Sequence, residues 1–413
     1  MIIGFNMAKN DKNVIVGLDI GTSSVKALVG VMNEDLEIDV LGIGKSKSLG
    51  MKRGVVIDIS ATVQSIEKAV EDAELLSEIK IKSVYVNISG KHIQSFNATG
   101  RAAISDHKEV SDQDLNAVKE SATTIRLTND QEILHVLAKD YTIDGQYGIK
   151  VPLGMSGIAI DGRYHLVTAA KNARDNIEKC IKRCEINPEG SVLEQYASSL
   201  SILTEDEKDL GVCLVDIGGG TTDIAIFSNG AIEFTSSVSL GGDHVTNDLA
   251  QVLKTSTHNA EAIKISHGCI NNELLSDDII EVPSVGDRPP RSAQRHTLHQ
   301  VMSSRYYEIF NFINEIIEQS SFEEKIAAGI VLTGGGAKAE GLVDLAEEVF
   351  HRQVRIGSPQ YISGGADIVK NPEYAVGVGL LLYAKKQKKS NFEPLNDDFL
   401  YTAKKLFRNF FYN

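Results

Sequence analysis

Two short stretches of the chain carry residue types that bind phosphate. The first is VIVGLDIGTSSVKALVG, from Val14 to Gly30, and the second is GVCLVDIGGGTTDIAIFSNG, from Gly211 to Gly230. Each has an apolar, β-branched run, then Asp-Ile-Gly, then hydroxyl residues, then another apolar run, which predicts a strand, a tight turn and a strand. Glycine lets a ligand approach the turn closely, and successive backbone N–H groups there form an anion cradle. We therefore expect two phosphate-binding hairpins.

Carboxylates stand where the first strand of each hairpin ends. Asp19 and Asp216 occupy these positions, and such a carboxylate can hold the water shell of Mg²⁺, an ion that keeps most of its waters. The candidate phosphate-binding residues are Gly21, Thr22, Ser23, Ser24 and Lys26 in the first hairpin and Gly218, Gly219, Gly220, Thr221 and Thr222 in the second.

A third glycine loop follows later in the chain. GIVLTGGGAKAEGLVDLAEEVF, from Gly329 to Phe350, predicts a buried strand, a turn at Gly334, Gly335 and Gly336, and a helix. Bare backbone in this turn allows a flat ring or a ribose to lie against it. Each loop alone is a weak signal, but the three in this order indicate a nucleotide site. We expect Gly336→Asp to abolish nucleotide binding and to leave the fold largely intact.

Composition and missing motifs exclude several other functions. The formal net charge of −14 argues against a nucleic-acid partner. The segment at Gly42–Ser46 resembles the end of a Walker loop, but Asp39 stands where its first glycine is required. No HExxH metal motif is present, and the four cysteines lack a CxxC pair, which favours reduced, buried thiols. No apolar run reaches the ~18 residues of a membrane span.

Together the three loops resemble those of the actin/Hsp70/sugar-kinase superfamily. The resemblance implies ATP and Mg²⁺ between two similar halves, with the hairpins as phosphate loops and Gly334–Gly336 as the adenosine loop. Val192–Leu200 looks like the connecting helix, and Glu194 matches the position that orders Mg²⁺ or an attacking water in relatives. Any hydrolysis would use a water placed near Glu194 and Asp216. An exposed carboxylate at a helix end is the alternative for Glu194.

A compact insert indicates which branch of this superfamily is closest. Between strands Ser83–Gly90 and Gly162–Ala170 the sequence predicts a strand, an acidic helix with a capping-box start at Ser111 and Asp114, and further strands. With ISGKHIQSFNATG and VPLGMSG, the pattern resembles the FtsA family of bacterial division proteins, from Val14 to Tyr383 plus the tail. The family implies an α/β, actin-like fold with an inserted subdomain named 1C. It also implies a filament-forming adaptor that tethers FtsZ to the inner membrane and recruits other division proteins.

The resemblance also predicts domain boundaries. We expect subdomain 1A at 14–86 and 163–200, the insert 1C at 87–162, subdomain 2A at 204–242 and 326–384, and subdomain 2B at 243–325. A polar linker at 385–396 and an amphipathic helix at 397–413 follow.

The spacing of the last residues predicts an amphipathic helix with one apolar stripe. Its apolar positions recur at three- and four-residue spacing, and its basic residues lie beside them. From Lys385 onward the net charge is +4, against −18 for the rest of the chain, so an anionic lipid surface attracts the tail and repels the body. A C-terminal helix docked on the protein's own core is the alternative. The membrane candidates are Phe399, Leu400, Leu406, Phe407, Phe410, Phe411, Lys404, Lys405 and Arg408.

A proline-rich loop and a long helix span Pro283 to Gln319. Three arginines, Arg288, Arg291 and Arg295, cluster at their junction. In the FtsA family subdomain 2B takes the acidic C-terminal peptide of FtsZ, so these arginines are candidates for that contact. A solvated loop end is the alternative. On the helix, Arg305 and Glu308 match residues that reach the ribose or adenine in relatives.

Two other functions remain open at this point. A small-molecule kinase of the same superfamily would lack the membrane helix, and a pilus-assembly actin-like protein would carry the insert without this tail. For an FtsA-like protein we expect the cytoplasmic face of the inner membrane, at the division septum, and at most slow ATP hydrolysis.

Overall fold

The computed structural model describes residues 13–33, 35–105, 109–270, 278–286, 288–365 and 369–392. The strands are β1 Val14–Ile20, β2 Ser24–Met32, β3 Ile38–Lys47, β4 Met51–Lys52, β5 Val55–Val56, β6 Ser83–Ile88, β7 Gln94–Ala103, β8 Gln131–Ile143, β9 Gln146–Ile149, β10 Ala159–Ala170, β11 Asn187–Leu193, β12 Val212–Ile217, β13 Thr222–Ser228, β14 Ala231–Val238, β15 Ile279–Val282, β16 Arg291–Gln294, β17 Ile330–Thr333 and β18 Val354–Ile356. The helices are α1 Ile59–Ser77, α2 Asp112–Thr123, α3 Lys171–Arg183, α4 Glu194–Ile202, α5 Glu205–Leu210, α6 Gly242–Val252, α7 Thr257–His267, α8 Arg295–Gln319, α9 Leu342–Phe350 and α10 Ala375–Phe392.

Two five-stranded sheets share one topology. The first has the order β11-β6-β1-β2-β3, and the second has β14-β13-β12-β17-β18. In each, three consecutive strands pair antiparallel, and two later strands add in parallel on the other side of the first. The chain therefore consists of two similar halves, as the repeated Asp-Ile-Gly motif predicts.

Side chains alternate between the two faces of each sheet, as the period of a strand requires. In the first half, Val16 and Leu18 point into the core beneath α1. Ile15 packs on the other face with Val378 and Leu381 of α10. The last described helix thus covers one face of the sheet formed near the start of the chain.

Helix α10 is longer than the sequence analysis predicts. The segment expected as a linker, 385–396, is helical as far as Phe392. Lysine is a good helix former, and this part of the helix stays in contact with the first half. Lys386 Nζ lies 3.4 Å from the hydroxyl of Tyr196, and Lys388 Nζ donates to the Val14 carbonyl at 2.9 Å. The predicted amphipathic helix, 397–413, lies outside the described residues.

The insert forms its own four-stranded sheet, with the order β7-β10-β8-β9. Helix α2 covers it and begins with the predicted capping box, in which Ser111 and Asp114 bond reciprocally. Within the described chain, no helix has both the length and the apolar character that a membrane span requires.

Polar groups fix the insert to the second half along β14. Lys139 on β8 forms an ion pair with Glu233 on β14, and both side chains are buried. Ser95 donates to the Thr235 carbonyl at 3.0 Å. The ring of His165 lies between the Thr235 hydroxyl and Asn97, and burial, with the nearby Lys139, lowers the His165 pKa to about 3. The insert, which belongs to the first half in sequence, therefore bridges both halves.

Candidate functional site

The first hairpin brings a carboxylate and an ammonium group together. Asp19 at the end of β1 is the register partner of Lys26 on β2, and Lys26 Nζ lies 2.8 Å from Asp19 Oδ2, with both side chains buried. Burial alone would lower the pKa of Lys26, but the charges of Asp19, Glu373 and Glu194 outweigh it and raise that pKa. Lys26 is thus held as a cation inside the cleft.

The second hairpin places two carboxylates at the corresponding positions. Asp216 on β12 is the register partner of Asp223 on β13, and both are almost completely buried. Among the described residues no hydrogen bond of standard geometry reaches Asp216 Oδ2 or either carboxylate oxygen of Asp223, although the hydroxyls of Ser237 and Thr221 lie near Asp223 and oppose the rise of its pKa. Burial, then Glu194 and Asp19, raises the pKa of Asp216 to about 8. Burial, Glu194 and Asp216 raise that of Asp223 well above its usual value.

Glu194 lies near the carboxylates of both hairpins, since its charge acts on Asp216 and Asp223 and that of Asp19 acts on it. It is the first residue of α4 and is buried, so the alternative of an exposed helix-end carboxylate is wrong. The Asn87 amide donates to Glu194 Oε2 at 2.9 Å, and the same amide's oxygen accepts the Ile20 N–H at 2.7 Å. Burial and the charge of Asp19 raise the pKa of Glu194, although the hydrogen bonds from Ser89 and Asn87 oppose the shift.

The turns of the two hairpins touch. A Cβ at Gly219 would lie 1.8 Å from Ser23 Oγ, and one at Gly220 would lie 2.8 Å from Thr22 Cγ2, so a side chain at either position would separate the loops. Ser23 Oγ also donates to Asp243 at 3.1 Å, at the start of α6. The predicted phosphate loops therefore face each other across the contact between the halves.

Some predicted phosphate-binding residues have internal roles. The Thr222 hydroxyl is buried and donates to the Leu240 carbonyl at 2.9 Å. The Gly21 N–H donates to the Ser24 carbonyl at 3.1 Å, and the Gly218 N–H donates to that of Thr221 at 2.9 Å. These bonds close the two turns, so the named groups shape the loops.

The third loop lies against the second hairpin. Gly334 has a φ of 85°, and a Cβ there would lie 2.4 Å from Asp216 Oδ1. The Tyr306 hydroxyl of α8 donates to the Gly336 carbonyl at 2.9 Å.

Arg305, a predicted nucleoside contact on the same helix, lines a cavity of about 340 Å³. It binds Asp248 at 2.6 Å and Glu308 at 2.5 Å. The cavity is lined by Asp248, Gln300, Val301, Ser304, Arg305 and Glu308.

The expectation for Gly336→Asp needs correction. A Cβ at Gly336 would lie 2.4 Å from Ile217 Cγ2, whereas one at Gly335 has no neighbour within 4 Å. Gly336→Asp would therefore damage the packing around Ile217 and would not leave the fold intact.

Alanine at these two neighbouring glycines is expected to give different results. Gly336→Ala should lower the thermal unfolding midpoint, because overpacking typically costs about 1–3 kcal/mol, whereas Gly335→Ala should leave it nearly unchanged. Gly335→Asp should then weaken nucleotide binding without loss of stability. Thermal melts and titration with a fluorescent ATP analogue measure both effects. Equal melting points for the two alanine variants would contradict this assignment.

The carboxylates fit a hydrated Mg²⁺ better than a directly bound ion. Within the described part of the chain, no group of three or more acidic, histidine or cysteine side chains is arranged to hold a metal ion directly. The oxygens of Asp216 and Asp223 that lack partners are acceptors that metal-bound water could satisfy. The residues present therefore fit the predicted ion through its waters.

Two of the three candidate arginines have internal partners. Arg291 donates to the carbonyls of Leu253 and Lys254, just after α6. Arg295 donates to the His267 carbonyl, the last residue of α7, at 3.0 Å. Cations are favoured at helix C-termini, so these two arginines stabilise subdomain structure. Arg288 and Arg291 are both exposed, whereas Arg295 is partly buried.

The sequence analysis did not single out Asn87 or Asp243, and it did not assign Asp223 a role. Asp223 had a usable signal, because it follows Asp216 by seven positions, as Lys26 follows Asp19. Aligning the two hairpins would have shown it. Asn87 and Asp243 had no comparable signal, since only the fold brings them to the cleft.

Comparison with known proteins gives the family. A model described as "Cell division protein FtsA" matches residues 213–379, and one described as "SHS2 domain inserted in FTSA" matches 90–168. Cell division protein FtsA of Pseudomonas aeruginosa is 50% identical over 91% of this chain and 90% of its own length. The chain belongs to the FtsA family. The FtsA of Escherichia coli K12 is 43% identical, with 91% of each chain covered.

Solved structures confirm the actin-like fold of this FtsA-family chain. The PilM-PilN type IV pilus biogenesis complex aligns with a TM-score of 0.63 and covers 90% of this chain and 98% of its own. MreB 5 of Spiroplasma citri bound to AMPPNP aligns with a TM-score of 0.58 and covers 94% and 100%. Both are 16% identical to this chain. The SHS2 match at 90–168 also agrees with the position of the predicted FtsA insert.

Proposed function

We propose that this FtsA-family protein binds ATP with Mg²⁺ in the cleft, forms filaments, and tethers FtsZ to the cytoplasmic face of the inner membrane at the septum, where other division proteins join it. Family membership favours this function over a small-molecule kinase or a pilus-assembly protein. The observation that carries the nucleotide part is the buried cluster of Asp19, Glu194, Asp216 and Asp223 around Lys26, between the two glycine loops.

The cluster holds more carboxylates than the single cation of Lys26 can balance. Burial raises the pKa values of Asp216 and Glu194 because it disfavours the charged form, and neighbouring negative charges raise them further. A magnesium ion would neutralise negative charge on the phosphates and on these side chains. Perturbed carboxylates in a cleft between glycine loops are characteristic of functional sites.

Each group then has a defined role toward ATP. Lys26, already cationic, would contact a phosphate, and the N–H groups of the two hairpin turns other than those of Gly21 and Gly218 would surround the others. Asp19 and Asp216 would hold metal-bound water. Glu194 and Asp216 would orient an attacking water in any slow hydrolysis. The Gly334–Gly336 loop, with Arg305 and Glu308 nearby, would take the nucleoside.

Attachment to the membrane would use the C-terminal tail. A single amphipathic helix with a small positive charge binds lipid weakly and reversibly. A filament presents many such helices, so avidity can rise ~10²–10⁴-fold. Membrane binding should therefore depend on polymerisation, and so on ATP. Of the candidate arginines for the FtsZ peptide, Arg288 and Arg291 are exposed, and Arg291 also donates to the carbonyls of Leu253 and Lys254.

A vesicle flotation assay tests these steps together. We expect the parent protein with ATP and Mg²⁺ to carry purified FtsZ to the top of the gradient with anionic vesicles. Phe407→Glu places a charge within the apolar stripe and should leave both proteins at the bottom. Lys405→Glu changes a charge beside the apolar stripe and serves for comparison with Phe407→Glu. It should weaken flotation mainly with anionic lipid at low salt, because exposed charges are screened beyond ~10 Å at 0.1 M.

Three outcomes would count against separate parts of the proposal. Equal flotation of parent and Phe407→Glu would mean that the tail is docked on the core. Equal flotation with and without ATP would remove the link between nucleotide and assembly. If this protein floats while the added FtsZ stays at the bottom of the gradient, the tethering role is wrong.

A further inference from the structure

We infer that His135, in the insert, is a positioning residue for Glu194 and so for the Mg²⁺-dependent binding of ATP; the inference rests on the proposed nucleotide site. His135 lies on β8, and its Nε2 accepts the backbone N–H of Leu193 at 2.9 Å. Leu193 directly precedes Glu194. A side chain of the insert therefore holds the backbone next to a carboxylate that lies near both hairpins.

The need for this bond follows from the sheet topology. Strand β11 is at the edge of the first-half sheet, paired on one side with β6. A buried edge N–H has no ladder partner on the open side and must find another acceptor. Leu193 is also the residue before α4, and no side chain caps that helix. The His135 ring supplies the acceptor at the point where strand becomes helix.

The His135 ring is itself fixed from two further directions. Its centroid lies 5.5 Å from that of Tyr196 on α4 and 6.1 Å from that of Tyr383 on α10, both edge to face. Burial lowers the pKa of His135 to about 4, so Nε2 remains an acceptor at neutral pH. One residue thus joins the insert, the helix that carries Glu194 and the last described helix.

The connection continues from Leu193 into the cleft. Glu194 accepts from Asn87, and Asn87 accepts from the N–H of Ile20, beside Asp19. If Leu193 shifts, Glu194 leaves the position set by Asn87, and the carboxylate that would order Mg²⁺ or an attacking water is displaced from Asp19 and Asp216. Loss of a residue that hydrogen-bonds to the groups holding a metal typically lowers the metal affinity about 10–100-fold.

The experiment compares three full-length variants. His135→Leu removes the acceptor, His135→Gln keeps a side-chain oxygen of similar reach, and Tyr383→Leu disturbs the same ring cluster but leaves the acceptor. A fluorescent ATP analogue is titrated with MgCl₂ and with EDTA, and the ratio of the two affinities is measured. Hydrogen exchange at the Leu193 amide is followed without nucleotide.

The Mg²⁺ enhancement is the ratio of the affinity in MgCl₂ to the affinity in EDTA. We expect His135→Leu to lower this enhancement about 10-fold, with little change in the affinity measured in EDTA and with faster hydrogen exchange at the Leu193 amide. His135→Gln should restore most of the enhancement, and Tyr383→Leu should retain it. An unchanged enhancement in His135→Leu would overturn the inference, and so would an equal loss in Gln and Leu variants, which would indicate a packing role alone. Absence of ATP binding by the parent would instead overturn the proposed nucleotide site, and the inference with it.

Discussion

Replacing Lys139 with methionine is expected to lower the stability of the protein by roughly 3–5 kcal/mol. Lys139 and Glu233 form an ion pair in which the side chains are 5% and 4% exposed, so the substitution leaves a buried carboxylate without its main partner. Lys325 lies 3.4 Å from the other oxygen of Glu233, but its side chain is 41% exposed. Solvent screens such a contact, and it should compensate only in part. The fall is measured as a lower thermal unfolding midpoint.

A paired substitution provides the control for this result. Lys139→Met with Glu233→Met removes both charges, and replacing a whole buried pair with apolar groups is often neutral or stabilising. The double variant should therefore melt near the parent, well above the single one. If the single variant is as stable as the parent, the insert is not held to β14 by this pair.

The contribution of Asp216 to the stability of the nucleotide-free protein is expected to fall as the pH rises from 6 to 9. Asp216 has a pKa of about 8 in the folded protein, against the ordinary value of 3.8. Between these values the folded state keeps a proton that the unfolded chain has released. The stability that Asp216 contributes is therefore greatest below pH 3.8 and falls until about pH 8. At 1.36 kcal/mol per pH unit, the loss between pH 6 and 8 is about 2–3 kcal/mol.

Asp216→Asn isolates this contribution, because asparagine has nearly the same shape and does not titrate. The variant should lose less stability between pH 6 and 9 than the parent, and it should melt higher than the parent at pH 9. Unfolding midpoints at pH 6, 7, 8 and 9, without nucleotide and in EDTA, provide the comparison. Parallel curves for the two proteins would show that the carboxyl group is not held protonated by its neighbours.

Local sequence patterns predicted the strands, the hairpins and the insert. The Asp-Ile-Gly motifs specify their own turns, so β1–β2 and β12–β13 could be identified without tertiary information. The capping box at Ser111 and Asp114 likewise depends on residues three positions apart.

Long-range contacts could not be predicted in the same way. Glu194 and Asn87 are separated by 107 positions and His135 and Leu193 by 58, and no local pattern encodes such a pair. For the same reason the sequence did not show that Arg291 and Arg295 donate to carbonyls at the ends of distant helices. The partners of a charged side chain depend on its neighbours in the fold, not on its neighbours in sequence.

The position of α10 has a consequence for how the chain folds during synthesis. This helix, Ala375–Phe392, covers the sheet that begins at Val14, and a Cβ at Gly17 would lie 2.7 Å from the Gly377 carbonyl. Helix α10 therefore leaves the ribosome more than 350 residues after the start of the sheet on which it packs. The second half, whose strands all lie between Val212 and Ile356, can complete its sheet earlier. The first half must wait with one apolar face open, and it closes only as the C-terminal segment emerges.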